Sequence, residues 1–391
     1  MPETGLEIEL SFPLISPDWN FALWAVLIGI AGFGFWADST RLGKQISGVG
    51  IMLVIAMIFG NFGVIPHAAP AYDVVWNFLV PTAVPLLLLK ANLRRIIPET
   101  GPMLGAYFLG VAGTLAGAVL GLMVLPMGSA GPDLAGILSA TYIGGSMNFA
   151  AVAEALEFTE STLLTAALAA DNVVGTLHIL VVVLIPSVAI LRRWIPSPII
   201  ENPHALMHDE VTADDEVLPY NLVHICLALT ISLVIGAVGY GIAEILNIPN
   251  FGILFITAIT LVVANVFHNQ LENLHGAFET GMLMMYIFFA TIGAGADVAV
   301  MIEAGVMIFV YASFIVITHV IVLLLGAKLF GMDLAEMVVA SLACIGGPVA
   351  PAAISASRGW RTLVTPGIMV GILGYAIANF IGVGLASLLA Q

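Results

Sequence analysis

Two short runs stand out as places where this chain could do chemistry: Gly144-Gly145-Ser146-Met147-Asn148 and Gly346-Gly347-Pro348-Val349-Ala350-Pro351. Gly and Pro weaken a helical ladder and free backbone N–H and C=O groups, which in an apolar setting must line protein or a water-filled cavity. Half-helix ends at such a break offer a positive dipole to an anionic group, while the freed carbonyls suit Na+. Ser146 and Asn148 add a hydroxyl and an amide beside the first break. Downstream, Asp171-Asn172 falls in the middle of a long apolar stretch, where a carboxylate costs about 2.5–3.5 kcal/mol on insertion scales and is normally turned toward a cavity and used. Asp171, Gly175 and His178 are spaced i, i+4 and i+7, so they share one helical face. Such a stripe can hold a cation or pass a proton. Tight packing through small residues is the competing reading of the Gly-Gly pairs, but a match between two breaks favours a site.

The expected set is therefore Asp171, Asn172, His178 and Glu154 for an ion or proton, with Asp171 and Asn148 as the candidate Na+ ligands. Gly144, Gly145, Ser146, Asn148, Gly346, Gly347, Pro348 and Asn379 are the expected solute-binding positions. Asn379 is the nearest polar counterpart of the Asp171 region in the second half, and it is neutral. His319 fits a packing residue and a proton carrier equally well. Asn61 and Asn265 end corresponding segments and read as helix caps. No phosphate loop, HExxH, GxSxG or CxxC pattern occurs in a suitable context, so no enzyme is expected. Cys226 and Cys344 lie far apart in apolar segments and support neither a disulfide framework nor a metal cluster. No cofactor is expected beyond Na+ as a coupling ion.

The elements that position these residues are helices in lipid. Hydrophobic residues make up 60% of the chain and charged ones 9%, too few to coat a soluble globule of 391 residues. Apolar runs long enough for the roughly 20 residues of a spanning helix recur along the chain, with no alternating barrel pattern. They fall at 20–37, 46–65, 74–90, 102–126, 134–156 and 161–192, then at 221–245, 250–268, 276–297, 303–330, 335–357 and 362–390. The acidic N-terminal stretch lacks the basic region of a cleavable signal. A formal charge of −15 with ten Lys and Arg excludes an electrostatic nucleic-acid surface.

A repeat is visible when Ile143-Gly144-Gly145 is set over Ile345-Gly346-Gly347, since each is followed by an Ala-Ala pair at the same offset. The organisation expected is a first repeat at 1–193, a polar cytoplasmic linker at 194–219 and a second repeat at 220–391. Basic residues at Arg41, Lys44, Lys90, Arg94, Arg95, Arg192, Arg193, Lys328, Arg358 and Arg361 all fall inside the cell if the fifth segment of each half does not cross. That leaves about five spanning helices plus one broken or re-entrant helix in each of two inverted repeats. Both termini then lie outside the inner (plasma) membrane.

The runs YIGGSMNFAAVAEAL and ADNVVGTLHILVVVLIP resemble the membrane family known as domain of unknown function 819, over nearly the whole chain. That family is distantly similar to the cation:proton antiporters, the bile-acid:sodium symporters and the bacterial glutamate:sodium symporters. The resemblance implies discontinuous helices crossing near the midplane, a core moving against a dimerising panel, and hence a homodimer. It also implies an ion-binding carboxylate in the helix after the first break, the place of Asp171. The order Asp171-Asn172 departs from the Asn-Asp or Asp-Asp of the antiporters, and no basic residue lies mid-helix in the second half, which favours symport. The function expected is Na+- or H+-coupled symport of a small organic solute such as a carboxylate, amino acid or short peptide. A Na+/H+ antiporter and an uncoupled channel or sensor membrane domain are the alternatives.

Overall fold

The computed structural model describes residues 13–40, 48–201, 221–271, 273–296 and 298–391. Arg41, Lys44 and the linker beyond residue 201 lie outside them. The described residues fold into helices and turns without strands, as the long apolar runs require. Fourteen principal helices can be numbered: α1 (Asn20–Ser39), α2 (Gly48–Asn61), α3 (Pro70–Leu88), α4 (Pro102–Val124), α5 (Gly131–Gly144), α6 (Met147–Ala155) and α7 (Ser161–Leu184). The second half supplies α8 (Leu222–Ile245), α9 (Gly252–Val266), α10 (Ala277–Gly295), α11 (Val298–Phe330), α12 (Leu334–Gly346), α13 (Val349–Ser357) and α14 (Val364–Leu389). The same order of long and short helices thus occurs twice.

Eight of these, α1, α3, α4, α7, α8, α10, α11 and α14, are long and apolar enough to cross a membrane. The chain is an all-α, multi-pass integral membrane protein. The second segment of each half is shorter than the apolar run implied. α2 has 14 residues and α9 has 15, about 21–22 Å of helix against a hydrocarbon core of about 30 Å. Among the described residues each half has four helices of spanning length.

An Asn at the C-terminal end of each of these helices bonds to the other half. Asn61 donates to the Ala296 carbonyl at 2.7 Å, at the end of α10. Asn265 donates to the Ala91 carbonyl at 3.1 Å and accepts the Leu93 N–H at 2.8 Å, just past α3. Each half thus satisfies terminal backbone groups of the other, groups that a helix cannot satisfy internally. The helices pack accordingly in two groups: α1–α3 with α8–α10, and α4–α7 with α11–α14. In the second group α4 presents Gly110, Gly113 and Gly117 to α11. A Cβ on Gly113 would lie 2.9 Å from the His319 Cα, and one on Gly117 would lie 2.8 Å from the Ile315 Cα. Backbones approach this closely only through glycine, the usual route to tight helix pairs in lipid.

The start of the expected linker is not loose. Ile195 is buried, and the Ser197 hydroxyl donates to Asp333 at 2.5 Å, tying this segment to the N-terminus of α12.

Candidate functional site

Both sequence breaks are real helix breaks. α5 ends at Gly144 and α6 begins at Met147; α12 ends at Gly346 and α13 begins at Val349. Gly145 has φ +84° and Gly347 has φ +63°, the left-handed region that favours glycine. The two breaks meet: a Cβ on Gly145 would sit 3.3 Å from the Gly347 nitrogen and 3.5 Å from its Cα.

α14 holds the two together. A Cβ on Gly374 would lie 2.7 Å from the Ile143 carbonyl oxygen and 2.9 Å from the Gly144 Cα, and one turn earlier a Cβ on Gly371 would lie 2.6 Å from the Pro348 Cα. Two turns later Gly382 packs on Gly136 in the same way, with each Cβ position within 2.7 Å of the other's carbonyl. The groups freed by the first break find partners. The Tyr107 hydroxyl donates to the Ile143 carbonyl at 2.9 Å, and the Gly145 N–H donates to Thr141 at 2.7 Å. The Tyr375 hydroxyl lies 2.8 Å from the Cβ position of Gly347, and Gly346 is close to Ala350 where the chain turns into α13.

Asp171 comes from α7 to this junction. It is 5% exposed, and the Ser146 hydroxyl donates to its Oδ2 at 3.0 Å. Ser146 is also the residue before the first turn of α6, so the carboxylate sits at the partial positive end of that short helix. Oδ1 accepts no hydrogen bond among the described residues and borders the space beside Gly175, where a Cβ would be 3.8 Å away. Asn148 is buried next to Gly144, its amide 3.5 Å from the Gly145 carbonyl. Asn172 turns away from the junction and donates to Leu168 on its own helix at 2.8 Å.

The face of α7 that carries Asp171, Gly175 and His178 lies along α12. Gly175 approaches Ile345, and the His178 Nε2 is 2.8 Å from the Ser341 hydroxyl. Ser341 also reaches the His319 Nε2 at 3.0 Å, while the His319 Nδ1 is 2.9 Å from the Gly110 carbonyl and 3.0 Å from the Thr114 hydroxyl. His319 is therefore part of a buried polar chain that includes His178, with the rings 5.9 Å apart. A groove of about 320 Å³ between α7 and α11 runs past His178.

Besides Asn172 and His178, two more expected site residues are not brought to the junction. Glu154 bonds outward to α8, its Oε1 accepting the Tyr240 hydroxyl at 2.5 Å, while Oε2 is buried without a partner among the described residues. Asn379 lies further along α14 and donates to Thr257 on α9 at 3.3 Å. The α14 residues at the junction are Gly371, Gly374 and Tyr375.

Sequence reasoning missed Tyr107, Tyr375 and Ser341. Each is an uncharged polar group within an apolar helix, without the charge that drew notice to Asp171. Among the described residues no group of three His, Cys, Asp or Glu side chains could hold a metal ion.

Comparison with known proteins agrees with the membrane architecture. The chain is 33% identical over 392 residues to the uncharacterized membrane protein YjcL of Bacillus subtilis (strain 168), covering 94% of this chain and 96% of that one. The family model described as a protein of unknown function, DUF819, matches residues 25–391. With nearly its whole length matched, both breaks and Asp171 included, the chain belongs to the DUF819 family.

Proposed function

We propose that this chain is a secondary active transporter that couples Na+ or H+ to symport of a small organic solute, such as a carboxylate, an amino acid or a short peptide. The observation that carries this reading is the meeting of two helix breaks beside one buried carboxylate, Asp171, whose second oxygen takes no hydrogen bond among the described residues. A buried charge without a counter-charge is costly, and a bound cation or proton is the direct remedy. In this reading Asp171 and Asn148 hold the cation. Ser146, Gly145 and the Gly346-Gly347-Pro348 turn face the solute, whose negative end would meet the N-terminus of α6.

The two packing groups fit alternating access of the elevator kind. Helices α4–α7 and α11–α14 would carry the junction across the membrane against α1–α3 and α8–α10, which would form the panel of a homodimer. The halves would be inverted repeats in an inner membrane with both termini outside. Nothing in this scheme calls for a covalent step or a cofactor, and it is a transporter rather than an enzyme. A second reading, Na+/H+ antiport, draws on Asp171 being the one carboxylate at the junction. Activity needing only a cation and a pH gradient would select it. Flux without ion dependence would select an uncoupled channel.

The first test is thermal stability of the purified protein in Na+ against K+ or choline, for wild type and Asp171→Asn. A ligand that binds only the folded state stabilises it by about 2.7 kcal/mol at a hundredfold excess over Kd. The expected result is a Na+-specific rise in wild type that Asp171→Asn loses. No cation effect at any pH would rule out sodium coupling and leave proton coupling to be tested.

A further inference from the structure

His178, Ser341 and His319 form a chain whose hydrogen-bond polarity can be derived. The Gly110 carbonyl can only accept, so a neutral His319 carries its proton on Nδ1, 2.9 Å away, and the Thr114 hydroxyl, 3.0 Å from the same nitrogen, turns its own proton elsewhere. Nε2 of His319 is then an acceptor and takes the Ser341 hydroxyl proton across 3.0 Å. With that proton committed, the Ser341 oxygen accepts from His178 Nε2–H across 2.8 Å. The Nδ1 of His178 is left as a bare lone pair, and it is buried without a partner among the described residues. A histidine present only for packing would have both nitrogens satisfied, because a desolvated lone pair is a cost. His178 is 3% exposed and His319 is fully buried.

We propose that the His178–Ser341–His319 chain is a proton-binding site separate from Asp171, and that the coupling ion it takes is H+. This rests on the reading of the chain as a coupled transporter, and it deepens that reading by assigning the proton to a place. The proton adds to the His178 Nδ1 lone pair. It can then be shared along the chain: His178 gives its Nε2 proton to Ser341, Ser341 gives its hydroxyl proton to His319 Nε2, and the charge moves to the second ring with every hydrogen bond remade in the opposite sense. One proton enters and one extra N–H results. A second is opposed by the first across the 5.9 Å between rings.

Among the described residues no carboxylate bonds to either ring, so an added proton is held by the hydrogen bonds of the chain itself. His319 faces His178 from α11; Cys344 approaches from α12, with its Sγ and His319 Cε1 both against Gly110. Tyr107 on α4 receives the Cys344 thiol on its carbonyl. Asp171 is two turns away on α7 itself, and Tyr142 of α5 is fully buried. On α10, Tyr286 is bonded to Asp38. Glu279, Lys328 and Glu336 belong to terminal turns of α10, α11 and α12.

Two measurements test this. In ¹⁵N-histidine NMR of the wild-type protein in detergent, the two rings are expected to be opposite neutral tautomers, Nε2–H for His178 and Nδ1–H for His319. The same tautomer in both would overturn the chain. In proteoliposomes on a sensor surface, in choline buffer without added solute, a jump from about pH 8 to about pH 4 covers the range in which an exposed histidine changes charge and extends below it. It is expected to evoke a charge displacement that His178→Gln loses, Ser341→Ala diminishes and the exposed His67→Gln retains. No displacement in wild type, or one that survives in His178→Gln, would overturn the proposal. So would a displacement lost in Asp171→Asn but kept in His178→Gln. A Na+ jump at constant pH reads Asp171 independently: a missing Na+ response beside an intact proton response removes the sodium site and leaves this one standing.

Discussion

Ser146 shows what one side chain contributes to the junction. Its hydroxyl is the donor that the Asp171 carboxylate receives from the first break, at 3.0 Å. A hydrogen bond to a charged group contributes about 1.5–3 kcal/mol, so Ser146→Ala should destabilise the Na+-free protein by that order in denaturant unfolding. Ser146→Thr keeps the hydroxyl and should recover much of it. Asp171 was legible in the sequence because a lone carboxylate in an apolar helix is expensive wherever it sits. Its partner was named only as a nearby oxygen, and Asn172 was grouped with Asp171 although neighbours on a helix point about 100° apart. The structure turns the Asn172 amide onto Leu168 instead.

At the scale of elements, α14 is the surprise. It presses Gly371 on Pro348 and Gly374 on Gly144, so one helix braces both breaks. A methyl group at residue 374 would fall 2.7 Å from the Ile143 oxygen, whereas Gly384 on the same helix has nothing within 4 Å. Gly374→Ala should therefore destabilise the protein by about 1–3 kcal/mol through overpacking. Gly384→Ala should be neutral or stabilising by about 0.5–1 kcal/mol, because alanine is the better helix former. Thermal or denaturant melts of the two variants make the comparison. Asn379 looked like the important residue of this helix because it is polar. The glycines were lost among 40 in the chain, and which glycine admits a neighbouring backbone depends on the crossing geometry.

For the whole molecule, the division of the helices into two packing groups carries the mechanistic expectation. Glu154 on α6 and Tyr240 on α8 are bonded across that division, as are Asn379 and Thr257. Movement of one group against the other must break such bonds and expose the junction alternately to each side. Met147, half-buried at the start of α6, is a suitable reporter. A Met147→Cys protein in which Cys226 and Cys344 are replaced by Ser and Ala should react with a membrane-impermeant thiol reagent from one side in Na+ and more readily from the other without it. Equal reactivity from a fixed side in all conditions would contradict alternating access.

The amino-acid sequence by itself determined that this is a helical membrane protein, where its apolar segments run, and where two of them break. Those properties follow from local chemistry: apolar length against bilayer thickness, and the inability of Gly-Gly and Gly-Pro to continue a ladder. It also marked Asp171, Gly175 and His178 as one face, since helical periodicity needs no knowledge of neighbours. Only the tertiary structure decided what that face meets. That Gly145 touches Gly347, that His178 and His319 share Ser341, and that Glu154 leaves the junction for Tyr240 all depend on pairs of residues far apart in sequence. So do the bonds by which Asn61 and Asn265, near the ends of α2 and α9, each reach the other half. In lipid, apolar side chains gain little by leaving their solvent, so close packing of small residues and a few polar pairs select the arrangement, and no local pattern encodes them.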